Sequence, residues 1–240
     1  MKISIIIPCY NAEKWIQQCI DSALNQDYKE IEVVAVDNES CDGTLKILKS
    51  IKDSRFSYST EKNIYPYCWD EARNKGFSLA TGKYLFTLAS DDFLDPKYVT
   101  NCMKYIMSAP DKIMALQSPI RGIRGEQNIV VEEIFHNYKN LSEFKQKALT
   151  GCPVNSPTII YNRRLFDEGL LRTKPEIYSG AADYDLVCRL ADSKIFVCPA
   201  NRWLGYYYRW HPDQATWDMH KDPKNYDKMI QDFWRKKWSL

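Results

Sequence analysis

Three near-continuous apolar runs, Ile3–Ile7, Ile31–Val36 and Tyr84–Leu88, each end on a polar turn that leads into residues spaced for a helix. A run that is apolar at nearly every position, not at alternate ones, is a strand covered on both faces, and helices crossing over a parallel sheet supply that cover. The repeat of strand, turn and helix therefore commits the chain to an α/β fold with a doubly wound, mostly parallel sheet and helices on both faces. Trp15, Ile16, Cys19, Ile20, Ala23 and Leu24 predict a helix from Glu13 to Asn25, and Leu45, Ile47, Leu48 and Ile51 predict a second. Phe56–Ser59 and Ile113–Gln117 read as further strands, with helices over 72–80 and 97–108.

From residue 118 the pattern loosens. Arg121-Gly122-Ile123-Arg124-Gly125 reads as a turn, and Ile129–Ile134 and Thr158–Tyr161 as strands. Leu141–Leu149 and Arg163–Glu168 read as helices, and Ile195–Cys198 and Trp203–Arg209 as strands. We divide one domain accordingly: 1–117 as a first, ligand-binding half, 118–215 as a second half for another substrate, and 216–240 as a helical tail.

The third of the opening runs stops on Asp91-Asp92. Sheets of this type bind ligands beyond the carboxyl ends of their strands. Adjacent carboxylates there raise one another's pKa unless a cation or a donor-rich ligand neutralises them. Asp95-Pro96 already supplies the cap and first residue of the next helix, which leaves Asp91 and Asp92 for a ligand. Hard oxygen donors point to Mg²⁺ or Mn²⁺. Neither G-x-G-x-x-G nor G-x-x-x-x-G-K-[ST] occurs among the nine glycines, so a bound phosphate has a metal bridge as its holder, not a glycine-rich loop. Asp183-Tyr184-Asp185 opens a helix, where acidic residues serve equally well as simple N-terminal charge. His211, in a loop, reads on its own as a solvated side chain.

A net charge of +2, from 33 basic and 31 acidic residues, gives no field for nucleic acid. The eight cysteines are scattered singly, without the spacing of a zinc site, as expected of a reducing cytoplasm. The apolar start of the chain is short for a signal peptide, and no window approaches a membrane span. The basic, aromatic tail Phe233-Trp234-Arg235-Lys236-Lys237-Trp238 has two readings, a solvated helix end or a peripheral contact with the inner face of a membrane.

Six motifs in order carry a resemblance: Ser4-Ile5-Ile6-Ile7-Pro8-Cys9-Tyr10-Asn11, Val36-Asp37-Asn38-Glu39-Ser40-Cys41-Asp42-Gly43-Thr44, Ala72-Arg73-Asn74, Gly82-Lys83-Tyr84 running to Ala89-Ser90-Asp91-Asp92, Asp183-Tyr184-Asp185 and Tyr208-Arg209-Trp210-His211. From residue 3 to about 215 the chain resembles a family 2 glycosyltransferase of the GT-A type, a Rossmann-like fold. The resemblance implies inverting, metal-assisted transfer of a sugar from a nucleotide-diphosphate sugar, most often a UDP-sugar, to a glycan or lipid-linked acceptor in polysaccharide or glycoconjugate synthesis. It assigns Pro8, Tyr10, Asn11, Asp37 and Asn38 to the nucleoside, Arg73 to the base or diphosphate and Asp91 to the ribose. Asp92 and His211 are assigned to the metal, and Asp183 to the catalytic base. The chain departs from the family pattern at Ala89, Asn38, Glu39 and Ala182, where acidic residues or glycine are usual. Those departures leave a rival reading, a sugar-nucleotide-binding module without turnover. Oligomeric state is not written in these motifs.

Overall fold

The computed structural model describes residues 1–63, 68–214 and 223–239. The start of the tail expected over 216–240 lies outside the described residues. The first half runs β1 (Ile3–Cys9), α1 (Ile16–Leu24), β2 (Ile31–Asp37), α2 (Thr44–Ser50), β3 (Phe56–Thr60), α3 (Cys68–Leu79), β4 (Tyr84–Thr87), β5 (Phe93–Leu94), α4 (Tyr98–Ser108) and β6 (Ala115–Gln117). The second runs β7 (Ile120–Arg124), β8 (Ile129–Ile134), α5 (Leu141–Ala148), β9 (Ile160–Asn162), α6 (Arg164–Asp167), α7 (Pro175–Tyr178), α8 (Ala182–Asp192), β10 (Val197–Pro199), β11 (Tyr206–Trp210) and α9 (Tyr226–Trp238).

Among the described residues a seven-stranded sheet has the order β10-β6-β9-β4-β1-β2-β3, and a four-stranded sheet the order β5-β11-β7-β8. β1 pairs in parallel with β2 and β4, as its buried run predicts. Strand alternation splits its side chains between two cores. Ile3, Ile5 and Ile7 meet Ile16, Cys19, Ile20 and Ala23 of α1 with Val99 and Met103 of α4. Ile6 on the other face joins Leu85, Phe77 of α3 and Leu186 and Leu190 of α8.

Gly76 lets α3 approach β1. A Cβ there would stand 2.3 Å from Ile6 Cγ2, inside the packed core. Gly76→Ala should therefore lower stability by about 1–3 kcal/mol through overpacking, although alanine is about 1 kcal/mol better than glycine in an open helix. Thermal unfolding checks the sign, and a stabilised variant would mean that α3 does not press on β1.

One expectation changes. Residues 121–125 are not a turn: Ile120–Arg124 form β7, paired on both sides, and the turn begins at Gly125 (φ +70°). Gly122 is required within that strand because a Cβ would meet Glu132 Cγ at 2.6 Å and Trp210 Nε1 at 2.8 Å. β9 enters the large sheet antiparallel to both β4 and β6, so the strands of the second half complete the sheet of the first.

The tail packs down as α9. Trp234 is buried and donates to Asp185 Oδ1 at 3.1 Å, Trp238 donates to Asp192 Oδ1 at 3.1 Å, and Lys237 pairs with Asp192 at 2.7 Å. Of the aromatics read as an interfacial contact, Phe233 alone is exposed. Among the described residues no helix is long and apolar enough to cross a membrane.

Candidate active site

The turns after β1 and β2 are sewn together. Asn11, at φ +47°, donates its N–H to Ser40 Oγ at 2.9 Å, and its Oδ1 accepts from Cys41 N–H at 2.9 Å. Asparagine tolerates this left-handed backbone better than most residues. Pro8 is buried at the end of β1, and Tyr10 projects with 49% of its surface exposed. Asp37 and Asn38 are buried beside them. Asp37 Oδ2 accepts from Ser40 N–H at 3.3 Å, but Asp37 Oδ1 and Asn38 Oδ1 have no hydrogen-bond partner among the described residues. Buried acceptors left open in this way are costly unless a ligand supplies the donors.

After β4 the two aspartates part company. Asp92 is 1% exposed, with Oδ2 accepting from the Tyr206 hydroxyl at 2.7 Å and Oδ1 from Arg209 N–H at 2.8 Å. Burial, then the neighbouring Asp91, push its carboxyl well above the usual range. Asp92, the residue expected to ligate a metal, is thus the inward carboxylate of the pair, with one internal hydrogen bond accepted at each oxygen. Asp91 is the carboxylate left at the surface, with its Oδ2 2.9 Å from His211 Nε2 and the two side chains 23% and 15% exposed. His211 lines a cleft with Lys14, Trp15, Glu126, Arg209 and Trp210.

Asp183 is the second residue of α8. Its Oδ1 accepts from Tyr184 N–H at 2.7 Å, and no side chain caps the helix. Burial pushes its carboxyl up, against the opposing pull of the Ser156 hydroxyl and the Arg73 charge. Ser156 opens the short 3-10 turn that leads into β9. Because Ile160 of β9 pairs antiparallel with Phe86 of β4, that turn lies beyond the carboxyl end of β4. Asp183 and the Asp91–His211 pair consequently occupy the same edge of the large sheet.

Arg73 is 3% exposed, paired with Asp70 at 2.7 Å and donating to Leu171 O at 2.9 Å. Its charge also acts on Asp183 and Tyr161. Tyr206 and Ser156 support the site although no sequence motif marks them, and Arg209 supports it from within a motif that gives it no role. A signal existed for Arg209: a single cation inside the aromatic strand Tyr206-Tyr207-Tyr208-Arg209-Trp210 calls for a buried partner.

A seven-stranded, mostly parallel α/β sheet flanked by helices is the fold that this chain shares with GT-A glycosyltransferases. Residues 4–170 match the model of the family described as "Glycosyl transferase family 2", and the chain belongs to that family. It is 30% identical over 192 residues to chondroitin synthase of Escherichia coli, covering 79% of this chain and 26% of that protein. The chain thus spans about a quarter of this relative's length. In fold it resembles S. aureus TarS 1–349 in complex with UDP-GlcNAc, with a TM-score of 0.72 and 23% identity over 93% of this chain and 62% of that one. The mannosyltransferase PcManGT from Pyrobaculum calidifontis, in complex with GDP-Man and Mn²⁺, gives a TM-score of 0.66 and 17% identity over 96% and 68%.

Proposed function

We propose that this domain transfers a sugar, with inversion, from a nucleoside-diphosphate sugar, most simply a UDP-sugar, to a hydroxyl of a glycan or lipid-linked acceptor in polysaccharide or glycoconjugate synthesis. The observation that carries the reading is the shared end of the sheet, with the Asp91–His211 pair in the turns that follow β4 and β11 and the burial-raised Asp183 on α8. The open oxygens of Asp37 and Asn38 suit the N–H donors of a nucleobase, and the exposed Tyr10 ring offers a face to stack on it. A divalent cation fits Asp91 and His211, a hard oxygen and an imidazole nitrogen already drawn together. No group of three or more His, Cys, Asp or Glu is gathered among the described residues, so diphosphate oxygens and water would complete the shell. When bound, such an ion neutralises the charge that builds on a departing diphosphate.

Asp183 has the remaining task. As the acceptor oxygen bonds to the anomeric carbon, its carboxylate takes the hydroxyl proton, and the bond to the diphosphate oxygen breaks on the opposite face of the sugar. One displacement inverts the anomeric centre.

A donor screen tests the reading. UDP-sugars with Mn²⁺ should raise the thermal midpoint more than GDP- or dTDP-sugars do, by linkage of about 2.7 kcal/mol at a hundredfold excess over Kd. No shift with any sugar nucleotide would overturn it. Donor stabilisation without any Mn²⁺-dependent hydrolysis or transfer would favour the non-catalytic module instead.

A further inference from the structure

We infer that Arg209 is a positioning residue that holds Asp91 and His211 together by fastening both to the start of α1 and to the turn between β7 and β8. The inference rests on the functional reading above, which gives the Asp91–His211 pair its purpose.

Arg209 is 2% exposed, and its donors reach in four directions. The backbone N–H goes to Asp92 Oδ1 at 2.8 Å and Nε to the Asp91 carbonyl at 2.9 Å. Nη1 goes to Asn128 Oδ1 at 2.8 Å and Nη2 to Gln18 Oε1 at 2.8 Å. The guanidinium carbon also lies 4.2 Å from the centre of the Trp15 ring, and that ring lies 5.8 Å from the His211 ring. Asp91 is therefore gripped by its main chain, which leaves its carboxylate open toward His211. His211 itself follows Arg209 by two residues and leans on the same indole. Trp15 and Gln18 stand just beyond the turn at Tyr10 and Asn11, so one side chain ties the nucleoside side of the site to the metal side.

The plainer role is that Arg209 only neutralises buried Asp92. The two roles separate at lysine. Lysine keeps the charge but presents one ammonium, with no planar fork to serve Asp91, Asn128 and Gln18 at once. Neutralisation alone predicts that Arg209→Lys behaves as wild type; positioning predicts loss of metal affinity without loss of the nucleoside pocket.

The test uses the full chain and Mn²⁺ itself. Free Mn²⁺ is followed by its electron paramagnetic resonance signal during titration with UDP present, and UDP binding in EDTA is measured by calorimetry. Arg209→Lys should weaken Mn²⁺ binding by at least about tenfold, the low end for loss of a group that orients a ligand, with metal-free UDP binding within about twofold. Asn128→Ala removes one anchor and leaves the arginine in place, so it should shift Mn²⁺ affinity in the same direction by less; it also keeps the test decisive if Arg209→Lys misfolds. If wild type binds Mn²⁺ and both variants match it, this inference fails alone. If wild type binds no Mn²⁺ with UDP, the functional reading and this inference fall together.

Discussion

Asp183→Asn should cut transfer by about 10²- to 10⁴-fold, the usual reach of a positioned proton acceptor, while Mn²⁺-dependent donor binding stays within about twofold of wild type. The carboxyl that must take the proton is the one that burial holds above the usual aspartate range. The acid limb of kcat/KM should accordingly lie above that range in wild type, since only the ionised form is active. Stability moves the opposite way. A carboxyl raised in the folded state favours folding while protonated, and that contribution is lost as pH rises through the raised value. Asparagine carries no such dependence, so the variant should gain on wild type in thermal midpoint between acidic and neutral pH. Undiminished turnover, or a stability difference that ignores pH, would remove Asp183 from the role of base.

Substituting the adjacent aspartates should give opposite phenotypes. Asp91→Ala breaks a partly exposed pair, worth no more than about 1 kcal/mol of stability, yet it removes the oxygen proposed for the metal. Mn²⁺-dependent donor binding should fall by at least about tenfold with little change in thermal midpoint. Asp92→Ala strips the acceptor from the Tyr206 hydroxyl and Arg209 N–H, both buried, at about 1–3 kcal/mol for each group stranded. Its primary effect should be a lowered thermal midpoint. Calorimetric Mn²⁺ titration beside thermal unfolding separates the two, and the reverse pattern would return the ligand role to Asp92.

This contrast marks where the sequence stops being legible. That an acidic pair ends a buried strand can be read directly, because Tyr84–Leu88 is apolar at nearly every position and Asp95-Pro96 explains the following helix. Which carboxylate turns inward cannot be read. It depends on Tyr206 and Arg209, more than a hundred residues later, meeting Asp92 from another sheet. Likewise β1 and β2 announce themselves through buried runs, whereas β7 hides behind Gly122 and two arginines that local propensity assigns to a turn. The motif assigns Arg73 to the donor; its pairing with Asp70 and Leu171 and the reach of its charge to Asp183 come only with the fold. The tail's sequence is compatible with a solvated helix end or a membrane contact, and only tertiary packing shows that Trp234 and Trp238 donate their N–H groups to Asp185 and Asp192.

The placement of β9 between β4 and β6 bears on how the polypeptide is made. A nascent chain extruded only as far as Gln117 holds two strands whose facing edges have nothing to pair with, and open edges recruit other chains. The gap closes only when Asn162 has left the ribosome. Translation across the intervening stretch is thus the interval in which chaperone shelter matters most for this protein, and slowing elongation there should increase aggregation more than slowing it after β9 has docked.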